Sequence, residues 1–156
     1  MALVELEIFI AAPPERCFDL SRSVDLHLDS TVSTGERAVA GRTSGLLGLG
    51  DTVTWEARHF GLRQRLSARV TEYDRPRWFR DEMVSGPFQW MRHDHWFEVE
   101  GLGTKMRDAF GFESKVKLAD TLVIAPHIRR FLITRNEVLR RIAEGDEWRR
   151  YLSEPA

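Results

Sequence analysis

The chain has 156 residues, and 23 lysines and arginines against 24 aspartates and glutamates leave a formal net charge of -1, which gives no electrostatic reason to expect nucleic acid. No apolar run approaches the roughly 20 residues needed for a transmembrane segment, and Glu5 and Glu7 break the N-terminal stretch that a secretory leader would need. The single cysteine, Cys17, excludes an internal disulfide and fits a reducing compartment, so a cytoplasmic protein is expected, folded as one domain over residues 1–145 with a C-terminal tail over 146–156.

Leu3 to Ile10 alternates, with Val4, Leu6, Ile8 and Ile10 on one face, and predicts a half-buried strand. Pro13 and Pro14 open a short helix with Cys17, Phe18 and Leu20 on its apolar side; Ser21 or Ser23 caps a second that runs through Leu28. Strands are then predicted over Glu36–Thr43, Asp51–Phe60, Leu62–Tyr73 and Trp78–Val84. Ser44–Gly50, SGLLGLG, forms a loop too apolar for an ordinary solvated turn.

Phe88 to Phe112 reads as a β-hairpin about Gly101-Leu102, where glycine in the first central position suits a type II′ turn. The implied register sets Val99 against Thr104, Phe97 against Met106, His95 against Asp108 and His93 against Phe110. Alternation then puts Met91, His93, His95 and Phe97 on the inner face, while Trp90 and Trp96 point outward and leave contact between copies of the chain open. Beyond Glu113 the period changes. Leu118, Leu122 and Val123 predict a helical turn or two, and Ile128, Phe131, Leu132, Leu139 and Ile142 a helix of about five turns ending near Gly145. Its polar side carries Arg129, Arg130, Arg135, Arg140 and Arg141, solvated by default.

This order of elements, with IAAPPERCFDL, GLGDTVTWEARHFG and DRPRWFRDEMVSGPFQWMRHDHWFEVEGLGTKMRDAFGFE, resembles the START-related, birch-pollen-allergen-like superfamily over most of residues 3 to 144. Within it the chain looks like the bacterial SRPBCC proteins labelled polyketide cyclase/dehydrase and lipid transport. The resemblance implies an α+β helix-grip fold, a curved antiparallel sheet of about seven strands wrapped around the long C-terminal helix, with two short helices after the first strand. It also implies a cavity between sheet and helix for an apolar small molecule, and no metal or other cofactor. No catalytic motif carries over.

In that cavity Trp55, Phe79, Met83, Met91, Phe97, Met106, Phe110 and Phe131 are expected to give apolar contact, with His59, Asp81 and His93 as polar wall. His95 and Asp108, paired across the ladder, form an acid/base pair if the protein is an enzyme, and a mutually satisfied polar wall if it is not. His93, His95 and Asp108 also match in kind a two-histidine, one-carboxylate metal set. His59 and Asp81 have no identifiable partner in the sequence, and His27 and His127 are expected partly exposed. LLGLG lacks the lysine and hydroxyl of a phosphate loop and is expected as a lip at the cavity entrance, and no G-x-S-x-G elbow exists. Cys17 is expected to be a buried, inert thiol.

Overall fold

The structure, a computed structural model, describes residues 1–152. Among these, strands β1 (Ala2–Ile10), β2 (Arg37–Gly41), β3 (Thr52–His59), β4 (Leu62–Asp74), β5 (Trp78–Ser85), β6 (Trp90–Glu100) and β7 (Gly103–Glu113) form one antiparallel sheet in the order β1-β7-β6-β5-β4-β3-β2. Consecutive strands from β2 to β7 are neighbours, as a meander requires, and β1 joins beside β7. Register shifts in the 13-residue β4, between Ser67 and Ala68 and between Val70 and Glu72, bend the sheet toward one face. The β6–β7 hairpin has the expected register throughout. Gly101 lies at φ 58 while Leu102 keeps a negative φ, the combination a type II′ turn needs. Phe60, expected at the end of a strand, instead enters a turn with Gly61, both at positive φ.

Helix α1 (Pro14–Ser21) starts on proline, whose missing N–H costs nothing in a first turn. In α2 (Val24–Ser30) the cap is Ser23, whose hydroxyl accepts from the Leu26 N–H at 3.2 Å. The C-terminal segment is continuous helix: α3 (Lys117–Ala119), a π-helical turn (Asp120–Ile124) and α4 (Ala125–Glu144). Leu118, Leu122 and Val123 are helical as expected, but their side chains are exposed. A larger departure concerns Arg135, expected on the solvated basic face. It is only 4 % exposed, because it lies on the same stripe of α4 as Leu132, Leu139 and Ile142.

The interior has two parts. Ile10, Phe18, Leu20, Phe97, Met106, Leu139 and Ile142 form a packed cluster where α1 and the C-terminal half of α4 cover the turn end of the hairpin. Val4, Ala68, Met91, Phe112, Ile128 and Leu132 form a second toward the N-terminal end of α4. The start of the expected tail is structured. Helix α5 (Arg149–Leu152) brings Tyr151 against the first cluster beside Trp148, over whose ring the Arg16 guanidinium sits at 4.2 Å. Residues 153–156 of that tail lie outside the described residues. On the outer sheet face the Arg107 guanidinium covers Trp96 at 4.6 Å, and Trp90 lies over Gly111.

Candidate functional site

A cavity of about 500 Å³ lies between the sheet and α4. Trp55, His59, Phe79, Asp81, Met91, His93, His95, Phe110 and Phe131 all line it, each from a position that strand alternation or helix phase predicts. Four expected wall residues do not. Phe97 and Met106 belong to the first cluster, because α1 lies across that end of the hairpin and drives Phe18 against Phe97, ring centroids 5.4 Å apart. Met83 packs at the edge of the second cluster, and Asp108 is fully buried behind the two histidines.

The polar end of the cavity is a connected network. His93 Nε2 and Asp108 Oδ1 hydrogen-bond at 2.8 Å, and His95 Nε2 reaches forward to Asp81 Oδ2 at 2.9 Å. His95 Nδ1 lies 3.2 Å from Asp108 Oδ1, within ion-pair reach but without hydrogen-bond geometry. The expected His95–Asp108 pair is thus an electrostatic contact, and the hydrogen bonds run His93–Asp108 and His95–Asp81. From α4, Asn136 Nδ2 donates to Asp108 Oδ2 at 2.7 Å, and Arg135 donates to Asn136 Oδ1 and lies 3.6 Å from Asp108. Phe79 stacks on His95 at 4.1 Å, and the two imidazoles lie 3.8 Å apart, so both rings are held edge and face.

Charge follows from this arrangement. Burial alone would raise the Asp108 carboxyl; the hydrogen bond from His93, the close contact with His95 and the charge of Arg135 outweigh it and hold the group well below its usual range. Asp81 is lowered in the same way, chiefly by His95 against its own burial. The histidines part company. Burial and the neighbouring His95 charge lower His93, whereas at His95 burial is overcome by the two carboxylates and the net shift is upward. Two imidazoles two residues apart are therefore shifted in opposite directions, His93 toward its neutral form and His95 toward its charged one.

Near the other end of the cavity His59 finds the partner its sequence did not show: His59 Nδ1 and His127 Nε2 hydrogen-bond at 2.9 Å, tying β3 to the start of α4. His27 also lines the cavity, its ring tilted against Trp55 with centroids 4.1 Å apart and bonded to Glu36 Oε1 at 3.1 Å. The 44–50 loop contributes Leu47 to the wall and is fixed to the α1–α2 junction by Val24 N–H to Gly45 O and Leu47 N–H to Arg22 O, both 2.9 Å. Cys17 is buried in the first cluster, where burial pushes its thiol up to about 11, a poor nucleophile.

Sequence reasoning missed Arg135, Asn136, His27 and His127. For Arg135 a signal existed. Ile128, Leu132, Leu139 and Ile142 advance by four, seven and three residues, and position 135 fills the long step on the same face. A charged residue on a buried stripe calls for a buried partner, which Asp108 and Asn136 supply.

The architecture and cavity define an α+β helix-grip protein. No family model matches the chain, and neither does any curated relative. Solved structures do. The protein TTHA0849 from Thermus thermophilus is 21% identical with a TM-score of 0.70, over 88% of this chain and 97% of that one. The ginseng major latex-like protein 151 from Panax ginseng is 12% identical with a TM-score of 0.69, over 92% and 98%. Ara h 8.0201 is 16% identical with a TM-score of 0.59, over 88% and 97%. The chain therefore has the fold of the birch-pollen-allergen-like superfamily. No described helix is long and apolar enough to cross a membrane.

Proposed function

We propose that the protein binds a hydrophobic or aromatic small molecule, lipid-like or polyketide-like, in the cavity between sheet and α4. The observation that carries this reading is the division of the wall. Trp55, Met91, Phe110, Phe131 and Leu132 offer apolar contact, while His95, Asp81 and Arg135 converge at one end to orient a polar group. A volume of about 500 Å³ suits a molecule of a few fused rings or a short acyl chain. The test is native mass spectrometry of purified protein before and after denaturation, joined to fluorescence titration with an apolar dye. Ala57→Leu and Ala68→Leu place bulk in the cavity and are expected to weaken dye binding about tenfold or more. Dye binding unchanged in both folded variants would reject the reading.

A second reading is a cyclase- or dehydratase-like enzyme, favoured by one observation: His95 stands between two carboxylates, one of which, Asp81, faces the cavity. His95→Ala would then abolish turnover of a bound substrate, whereas in a binding protein it only weakens affinity.

A further inference from the structure

Asp81 on β5 and His93 and His95 on β6 meet at the polar end of the cavity, each offering a ligand atom within 4.8 Å of the others. We propose that these three side chains bind a divalent transition-metal ion of the zinc, cobalt or iron kind, with its remaining coordination positions turned toward the cavity. The inference goes beyond the hydrophobic-ligand reading and shares with it the cavity and the side chains of Asp81 and His95.

The ladder supplies the geometry. Asp81 stands directly across from His93, and His95 follows two residues on, so all three project from one sheet face. Metal bonds of about 2.0–2.2 Å place neighbouring ligand atoms roughly 3 Å apart, which small side-chain rotations reach from the present spacing. Sequence pattern suggested Asp108 as the carboxylate ligand; the structure assigns it the supporting part instead. Asp108 receives Nε2–H of His93 and lies behind Nδ1 of His95, which leaves Nδ1 of His93, and Nε2 of His95 once its bond to Asp81 is given up, as the ligand nitrogens. A carboxylate behind a ligating imidazole fixes its tautomer and raises its basicity. Asp108 is itself fixed by Asn136 and Arg135, so the support reaches back into α4.

The donor set selects the class of ion. Two imidazoles and one carboxylate suit zinc, cobalt or iron(II), while magnesium and calcium prefer all-oxygen sites. Asp81 and Asp108 stand against the Arg135 guanidinium, and a cation takes the place of any proton on His95. The hydrogen bond it would replace is that between His95 Nε2 and Asp81.

The experiment is titration of tag-free, chelator-stripped protein with cobalt(II), followed by visible absorption and calorimetry, with zinc as competitor. One cobalt per chain is expected, displaced by zinc and not by millimolar magnesium or calcium. Asp81→Asn and His95→Gln should each lower affinity at least a hundredfold, and Asp108→Asn by about 10- to 100-fold. His127→Gln, at the other histidine pair, should keep it. The proposal is overturned if no saturable binding occurs, or if Asp81→Asn and His95→Gln, shown folded by circular dichroism, bind as the parent does. Because Asp81 borders the cavity, Asp81→Asn serves even where Asp108→Asn does not fold. Dye binding measured on the same stripped protein separates the two readings, since it survives a failure of the metal proposal.

Discussion

Asp108 is the residue on which the buried network converges, with two imidazoles, an amide and a guanidinium gathered on one carboxylate of zero exposure. Its Oδ2 accepts from Asn136 and its Oδ1 from His93, and Asp108→Asn keeps the shape while removing the charge. Arg135 then loses its buried counter-ion, and His95 one of its two, a loss that costs about 3–5 kcal/mol. Urea unfolding near neutral pH should show that drop as a lower midpoint with an unchanged slope. The pH dependence carries a second signature. A carboxyl depressed in the folded state stabilises above its unfolded value, and that contribution is lost as pH falls from about 5 through the folded value. His95, raised, stabilises below about 6.5 and loses that contribution as pH rises through its folded value. His93, lowered, opposes it, destabilising as pH falls below about 6.5. On the acid side His93 acts first, and below about pH 5 the two depressed carboxylates follow, Asp108 more strongly than Asp81. In Asp108→Asn the stability curve should flatten below about pH 5; acid limbs that run parallel in parent and variant would show that Asp108 does not govern acid unfolding.

At the scale of elements, the β6–β7 hairpin and its junction with β1 fix where every inner residue points. Gly103, just past the turn, has no room for a side chain: a Cβ there would lie 2.4 Å from the Ile10 carbonyl oxygen and 2.7 Å from the Phe9 ring. Gly103→Ala must therefore push β1 away from β7 where Ile10 pairs with Thr104, a strain costing about 1–3 kcal/mol. Amide exchange should quicken at the C-terminal end of β1 and stay slow at Ala2 and Val4, and uniform protection would refute the local account. The same hairpin shows what the sequence discloses. Period-two alternation and a Gly-X turn are local, so the register and the inward set from Met91 to His95 were readable from residues 88–112 alone. The depth of burial along that face was not. Phe97 and His95 share it, yet one lies under α1 and the other faces the cavity, a difference set by where a distant helix crosses. Arg135 was obscured for a related reason: helix phase placed it on the buried stripe, but its charge argued for solvent, and only Asp108 on another element resolves the conflict. Partners such as His127 for His59 lie 68 residues away, beyond the reach of any local pattern.

For the whole molecule, the interior divides along α4 into a packed half and a hollow half, and the two should answer truncation differently. Leu139 is fully buried in the cluster with Phe18, Phe97 and Met106, with neighbours on every side. Leu132, two turns earlier on the same stripe, is also buried but borders the cavity. Leu139→Ala opens a new void in close-packed surroundings and should cost about 2–5 kcal/mol. Leu132→Ala loses the same transfer free energy but only enlarges a space that already exists, so its cost falls at the low end of that range, about 2 kcal/mol. Binding should reverse the order. Removing Leu132 takes away cavity contact and weakens an apolar dye several-fold, while Leu139→Ala leaves its affinity close to that of the parent. A ligand that binds only the folded chain adds RT ln(1 + [L]/Kd), about 2.7 kcal/mol at a hundredfold excess over Kd, and so raises the unfolding midpoint of the parent and of Leu139→Ala alike. Measuring midpoints for both variants with and without saturating dye tests the division directly. Equal destabilisation by the two truncations together with equal loss of binding would mean that α4 closes one continuous core, and the proposed separation of a stabilising half from a binding half would not hold.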